Sequence, residues 1–208
     1  LCYQVIKSFA LKNKVKCIES FAENKGSLLD IGAGTGDFLK QAKKSGWNVV
    51  GVEPNESARN LAQKKGIELY QNSNDLKNAS FDVITMWHVL EHVEDLNAQI
   101  IELKRLLNPN GTIIVAVPNY RSYDAKYYKR FWAAFDVPRH LWHFSKKSIR
   151  VIFGKHDFNV VKILPMKWDA FYVSLLSEKY KTGSMNIFRA IYIGLKSNSR
   201  AKKRMQYS

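Results

Sequence analysis

Cysteine is scarce: Cys2 and Cys17 are the only two in 208 residues. Two are too few for a disulfide framework or a thiolate metal cluster, which favours a reducing compartment, with the cytoplasm as the default. Long apolar runs are missing as well. The longest, at 113–117, falls far short of the ~20 residues that a bilayer-spanning helix needs, which excludes an integral membrane protein. The opening residues carry neither a signal-peptide core nor an initiating Met, so the sequence is expected to be a fragment of a longer chain. Acidic residues are few, 18 Asp and Glu against 33 Lys and Arg for a net charge of +15. The excess is lopsided. Residues 1–119 carry 14 basic and 13 acidic residues, and residues 120–208 carry 19 and 5. The second part also holds 18 of the 26 aromatic residues. That mixture suits either an anionic partner (an acidic small molecule, nucleic acid or a membrane surface) or a solvated basic face over an aromatic core.

What is present is an ordinary globular balance, 46% hydrophobic and 25% charged, unlike a disordered, collagenous or coiled-coil chain. The length suits one domain, 1–208, with a first half at 1–119 and a basic, aromatic second half at 120–208. Apolar residues at Val5, Ile6, Phe9, Val15, Ile18 and Phe21 space a helix or helix pair over 1–23. Five apolar runs then read as strands, at 27–31, 47–53, 67–70, 81–86 and 112–117, with helices between them at 37–45, 56–65 and 95–107. Strands alternating with helices define βαβ units and a doubly wound, mostly parallel α/β sheet. Beyond Pro118 an aromatic insertion at 119–141 is expected to lie over the sheet edge. A capped helix at 145–155, a sixth strand at 158–164, two helices at 168–180 and 185–195, and a solvated basic run at 200–204 complete the pattern.

Three glycines, Gly32, Gly34 and Gly36, stand between the first strand and the next helix. Glycine there lets the backbone turn sharply and approach a ligand without an intervening Cβ. A dinucleotide fingerprint, Gly-x-Gly-x-x-Gly, requires glycine at 37, where this chain has Asp37. An acidic residue beside the helix N-terminus tends to repel a pyrophosphate. Asp30 ends the first strand and favours a cationic or hydrogen-bond-donating group. Glu53 ends the second strand, where a carboxylate accepts the two hydroxyls of a ribose. A ribose-bearing, phosphate-free, partly cationic cofactor is S-adenosylmethionine.

At these residues the chain resembles the class I S-adenosylmethionine-dependent methyltransferases, in particular the branch related to the ubiquinone-biosynthesis O-methyltransferases. The matching segments are LLDIGAGTGDF at 28–38, GVEP at 51–54, FDVITMWHVLEHVED at 81–95 and LNPNGTIIVAVPN at 107–119. The resemblance implies a Rossmann-like, seven-stranded sheet and methyl transfer from the sulfonium to a nucleophile. It places Gly32, Gly34 and Gly36 along the methionine part of the cofactor, Asp30 near its amino group and Glu53 on the ribose. It sets Asn72, Ser73 and Asn74 in the stretch that faces adenine, and Trp87 and His88 closing over the cofactor. Each has a plainer alternative. Asp30 is also a candidate helix cap, Trp87 a packing residue, and His88 and His92 structural histidines bonded to backbone carbonyls; for His92 the structural role is preferred.

Methyl transfer is an in-line displacement in which the enzyme aligns the reactants and, for a hydroxyl acceptor, removes a proton. The candidate bases are His140, then His143, in the segment PRHLWHF at 138–144, where Arg139 is a candidate partner for an acidic group. The expected partner is a small-molecule methyl acceptor, anionic by the charge balance, with peripheral membrane contact as a further expectation. No metal is expected. Nucleic-acid methylation ranks lower, because the segment after the fourth strand lacks the Asp/Asn-Pro-Pro-Tyr/Phe of adenine methylation and no Pro-Cys nucleophile is present. A non-catalytic binding module that keeps the fold and a nicotinamide-dependent oxidoreductase are the remaining alternatives, the latter disfavoured by Asp37.

Overall fold

A computed structural model of the chain describes the backbone of residues 2–22 and 24–204 and the side chains of residues 7–22 and 24–201. The expected helix start at Leu1, the side chains of Val5 and Ile6, and those of Lys202, Lys203 and Arg204 in the basic run lie outside the described residues. The chain divides into two compact units, residues 1–89 with 98–115, and residues 90–97 with 116–208.

The first unit opens with α1 (Cys2–Glu19), followed by β1 (Ser27–Ile31), α2 (Asp37–Lys44), β2 (Asn48–Val52), α3 (Glu56–Gln63), β3 (Leu69–Tyr70), β4 (Phe81–Trp87), α4 (Leu96–Leu106) and β5 (Leu107–Ala116). The strands form one sheet in the order β3-β2-β1-β4-β5, with β1 parallel to β2 and β4, and β2 parallel to β3. This is the doubly wound order, which reverses direction between β1 and β4. In such sheets ligands bind outside the carboxyl ends of the strands at that reversal. The strands read as near-continuous apolar runs because helices cover a parallel sheet on both faces. Leu28, Leu29 and Ile84 are fully buried, as is Leu39 of α2.

At the opposite end of the sheet Asp82 ties three strands together. Its Oδ2 accepts from Ser27 N (2.7 Å) and Ser27 Oγ (2.8 Å), and its Oδ1 from Asn108 Nδ2 (2.8 Å). These bonds, with the Ser27 backbone foremost, hold the carboxyl below its ordinary pKa.

The second unit carries α5 (Tyr123–Tyr128), α6 (Lys146–Gly154), α7 (Lys167–Thr182) and α8 (Ile187–Arg204). Ser145 caps α6 with a capping box, as its position before the helix predicts. Polar groups are buried here in bonded sets: Asp124 accepts from Trp132 Nε1 (2.7 Å) and Ser197 Oγ (2.6 Å), and Tyr128 donates to Glu178 Oε1 (3.0 Å). Part of the basic excess lies over aromatic rings, with Arg200 4.4 Å from the Tyr123 centroid and Lys181 4.5 Å from that of Tyr127. α8 is built inside out. It buries Ala190, Ile193 and Ser197 and exposes Ile187, Phe188, Ile191, Tyr192 and Leu195.

The sixth strand expected at 158–164 does not form; the segment has no regular secondary structure, with Val161 82% exposed. Its β-branched residues fit a pleated surface, but propensity makes a strand only where a neighbour supplies the ladder. The described residues contain five strands, not the seven that the resemblance implies. No helix among them is long and apolar enough to cross a membrane.

Gly51 shows how tightly the sheet is covered. A Cβ there would overlap the side chains of Leu69 and Leu39. Gly51→Val should therefore destabilise the fold by about 1–3 kcal/mol, the usual cost of overpacking. Urea denaturation followed by circular dichroism measures this, and an unchanged midpoint would mean that those leucines move aside freely.

Candidate functional site

At the carboxyl end of β1 the chain enters the glycine loop, and the three glycines serve different ends. All have positive φ: 72° at Gly32, 53° at Gly34 and 71° at Gly36. Side chains rarely adopt that conformation. A Cβ at Gly32 would overlap Val89, and one at Gly36 would lie 3.0 Å from Ala62 Cβ, so both positions are closed by packing. A Cβ at Gly34 would meet nothing within 4 Å. Of the three, Gly34 is where the backbone itself borders open space.

Two carboxylates belong to the strands beside this loop. Glu53, just past β2, accepts from Gly34 N through Oε2 (2.8 Å) and from Asn55 N through Oε1 (2.9 Å). These bonds aim the side chain back at the loop, and each oxygen retains acceptor capacity for a further donor. Asp30, 3% exposed on β1, pairs in register with Gly51 on one side and Thr85 on the other. Thr85 donates to its Oδ1 at 2.6 Å, and Oδ2 accepts nothing from the described residues. Burial pushes the Asp30 carboxyl up to about 7, against the lowering effect of the Thr85 hydrogen bond and of the Lys14 charge. The alternative reading of Asp30 as a helix cap does not hold: the N-cap of α2 is Gly36, with no side-chain cap.

Asp37 plays a different part from the one its position suggests. It is held between Lys7 Nζ (2.6 Å) and Lys65 Nζ (2.7 Å), with Thr35 Oγ1 at 2.9 Å. Partial burial would raise its pKa, but the bonds from Lys65, Lys7 and Thr35 outweigh that and hold it down at about 2. Its charge is thus compensated by two lysines, which removes electrostatic repulsion as the ground for excluding a phosphate. The missing glycine at 37 remains.

At the end of β4, Trp87 packs edge-on against Phe38 (centroids 5.5 Å apart), with Lys14 Nζ 4.5 Å from its ring. His88 is exposed and takes the left-handed conformation, φ 58°. After β3, Asn72 caps the turn Ser73–Asp75; Asn72 and Asn74 are exposed and Ser73 half-buried. Thr85 and Lys14 were not singled out by sequence reasoning. The parallel register of β1 and β4, which sets Thr85 opposite Asp30, is the signal that would have found the former.

The two candidate bases lie in the second unit. His140 is half-buried; its Nδ1 donates to the Ala134 carbonyl (2.9 Å), which leaves the Nε2 lone pair available in the neutral ring. Burial holds its pKa below the ordinary value, despite the Ala134 bond and the Glu91 charge. His143 is exposed, and its Nε2 donates to the Phe135 carbonyl (2.9 Å). His92 Nδ1 donates to the Arg139 carbonyl (2.9 Å), the structural role preferred for it. Arg139 itself is forked onto Asp136 Oδ1 at 3.2 and 2.7 Å.

The fold and the glycine loop with its paired carboxylates define an S-adenosylmethionine-dependent methyltransferase domain. Residues 7–163 match the family model described as a methyltransferase domain, and the chain belongs to that family. Among curated relatives it is 29% identical over 187 residues to the ubiquinone biosynthesis O-methyltransferase of Pelagibacter ubique (strain HTCC1062), covering 76% of this chain and 73% of that one. It is 33% identical over 106 residues to the enzyme of that name from Actinobacillus pleuropneumoniae serotype 7 (strain AP76), covering 44% and 45%. The chain spans about half the length of most of the curated relatives it matches. Among solved structures it resembles magnesium protoporphyrin IX methyltransferase from Synechocystis PCC 6803 (TM-score 0.61, 20% identity, 76% of each chain). It also resembles a possible histamine N-methyltransferase from Thermotoga maritima (TM-score 0.59, 23% identity, 75% and 74%). These two likenesses concern the fold.

Asp30 carries a stability consequence of its own. The folded state keeps this proton up to pH about 7, whereas the unfolded chain releases it near its ordinary value of 3.8. Stability contributed by the group is therefore present at low pH and lost as pH rises between those values. Asp30→Asn retains the Thr85 bond and removes the buried charge. It should raise the melting temperature at pH 8 by at least about 2–4 °C, the shift that ~1 kcal/mol produces at this size, and raise it clearly less at pH 5, where only part of that stability has been lost. A gain of equal size at both pH values would show that the buried charge is not the cause.

Proposed function

We propose that this domain transfers the methyl group of S-adenosylmethionine to an oxygen of a small molecule, lipid or sugar. One observation carries the reading: Glu53 is bonded to the amide of the one loop glycine of the three whose Cβ position is open, and a second carboxyl, Asp30, lies buried on the strand that leads into that loop. The residues fit the cofactor. Asp30 Oδ2 is an acceptor set in a buried carboxyl, suited to the amino group. Glu53 has lone pairs for the ribose hydroxyls. Gly34 admits the methionine part against bare backbone, while Gly32 and Gly36 hold the loop in shape. Asn72, Ser73 and Asn74 are assigned to the adenine edge, and Trp87 and His88 to the closing side. When bound, the cofactor supplies an activated methyl group; the chain's part is to hold it in line with the acceptor and exclude water.

Residues 1–119 are assigned to the cofactor and residues 120–208 to the acceptor, in a cytoplasmic protein. His140 is the first candidate for deprotonating or holding the acceptor hydroxyl, because burial keeps its ring neutral with Nε2 available; His143 is the second. The basic second half suits an acceptor with an acidic group.

S-adenosylhomocysteine should raise the melting temperature of the chain and NAD should not, since only a ligand of the native state stabilises it. Glu53→Ala should weaken the S-adenosylhomocysteine affinity about 10- to 100-fold, the value of hydrogen bonds to a charged group. Equal stabilisation by NAD would return the protein to the oxidoreductase alternative.

A radiolabelled methyl-transfer screen over extracts fractionated into lipid, glycan, RNA and small-molecule pools identifies the acceptor, and label in the RNA pool alone would overturn the small-molecule reading. With the acceptor in hand, His140→Ala should lower turnover by about 10²- to 10⁴-fold while leaving S-adenosylhomocysteine affinity intact. Unchanged turnover would remove His140 from the mechanism.

A further inference from the structure

The last helix of the second unit turns its small and polar residues inward and its large apolar residues outward. Along α8 the buried positions are Ala190, Ile193, Ser197 and Ala201, which recur every three or four residues and so share one side of the helix. Ile187, Phe188, Ile191, Tyr192 and Leu195 form a stripe along the other side, and all are exposed, Phe188 at 88%. A helix at the surface of a globular domain has the reverse pattern.

The inversion is held in place from within the unit. Ser197 Oγ donates to the buried Asp124 Oδ1 at 2.6 Å, so turning the helix to bury its apolar stripe would strand a buried carboxylate oxygen. Gly194 lies so close to α7 that a Cβ there would overlap the Phe171 ring. Exposure of the stripe is thus a fixed feature of the fold, and contiguous exposed apolar surface of this kind marks an interaction site.

Charge decides what covers it. α8 carries six Lys and Arg and no Asp or Glu. Its Arg189, Lys196 and Arg200 are spaced seven and four residues apart, which sets them in one row along the helix. Lys196 Nζ donates to the Tyr192 hydroxyl at 3.2 Å, joining that row to the stripe. Residues 167–204 together carry nine basic residues against Asp169 and Glu178, and Glu178 is buried. Two copies of the chain joined through this face would bring those charges together with no counterpart. Nucleic acid would neutralise them, but single strands are gripped by stacking on aromatic rings, and Ile187, Ile191 and Leu195 are aliphatic. An anionic bilayer suits both features: headgroups neutralise the basic row, and aliphatic and aromatic side chains enter the boundary between headgroups and acyl chains.

We propose that α8 lies flat on a bilayer containing anionic phospholipid, with its apolar stripe in the acyl boundary and its basic row at the phosphates. It lies on the membrane rather than across it, since no described helix is long and apolar enough to span one. Net charge alone left the partner open among a small acid, nucleic acid and a membrane; the stripe beside the basic row selects the last. A preference for a lipid-borne acceptor follows only together with the proposed function, whereas docking does not depend on the reaction, so the test reads vesicle binding alone.

The full chain is sedimented with phosphatidylcholine vesicles, and with vesicles in which about a third of that lipid is replaced by phosphatidylglycerol, at about 0.1 M and about 0.5 M salt. Binding to the anionic vesicles is expected at low salt, and should be weaker by about tenfold or more on neutral vesicles and at high salt. The pair Phe188→Ser and Ile191→Ser removes exposed apolar area. It should weaken binding about tenfold or more, with melting temperature and S-adenosylhomocysteine affinity unchanged. Arg189→Glu should weaken binding to anionic vesicles and leave binding to neutral ones as it was. Ile101→Ser, at an exposed apolar residue of α4, should bind as wild type does. Wild-type chain that stays in solution with anionic vesicles, or that binds neutral and anionic vesicles equally, would overturn the proposal. So would equal binding by wild type and the Phe188→Ser, Ile191→Ser pair, or a dimer in light scattering that this pair dissociates while no vesicle is bound.

Discussion

A buried carboxyl at the point where the sheet reverses is the constraint around which the first unit is arranged. Asp30 occupies the central strand, with Gly51 opposite on β2 and Thr85 opposite on β4. Placing a carboxyl there costs free energy unless something offsets it. The chain offers one hydroxyl, from Thr85, and a lysine charge at longer range. Those leave the group with its pKa near 7, and the protein with a buried carboxyl only partly compensated. A fold under selection for stability alone would place an apolar residue at this position, as it does at Leu28 and Leu29 on the same strand. Buried titratable groups that lack full compensation mark functional positions more often than structural ones.

The glycine loop shows a similar separation of roles. Gly32 and Gly36 are required by backbone conformation and by the side chains of Val89, Ala62 and Ile67 around them. They would be needed whether or not a ligand were bound. Gly34 has the same positive φ but no neighbour at the Cβ position. Its amide also holds Glu53. One residue therefore sets both the approach of a ligand and the direction of the carboxylate that would grip it. The lysine clamp on Asp37 adds a link from α1 to the first turn of α2, so the loop is buttressed from outside the sheet.

The sheet was legible in the sequence because its causes are local and repetitive. Apolar runs of five or so residues, each followed by a helical stretch and a Gly or Pro stop, admit few arrangements other than a parallel α/β sheet. The loop was legible for the same reason: glycines at fixed offsets have a specific backbone meaning. The expectation failed where partners are remote. Residues 158–164 have the composition of a strand, but no ladder neighbour among the described residues, and composition cannot supply one. Asp37 appeared isolated along the chain, since Lys7 and Lys65 reach it from α1 and from beyond α3. Thr85 looked like one more strand residue until the register placed it against Asp30.

The histidines of the second unit show how far residue type alone can mislead. His92, His140 and His143 each spend one ring nitrogen on a backbone carbonyl, which by itself is the mark of a structural histidine. The same bond also prepares a histidine for chemistry, because it fixes which nitrogen keeps its lone pair. What separates the roles is where that second nitrogen goes. His143 spends Nε2 and lies on the surface, whereas His92 and His140 spend Nδ1 and bring their rings together beside a buried carboxylate. A lone imidazole whose burial favours the neutral form can take up a proton. In His140 the lone pair left on Nε2 belongs to a ring whose burial favours the neutral form, which is the condition a general base has to meet.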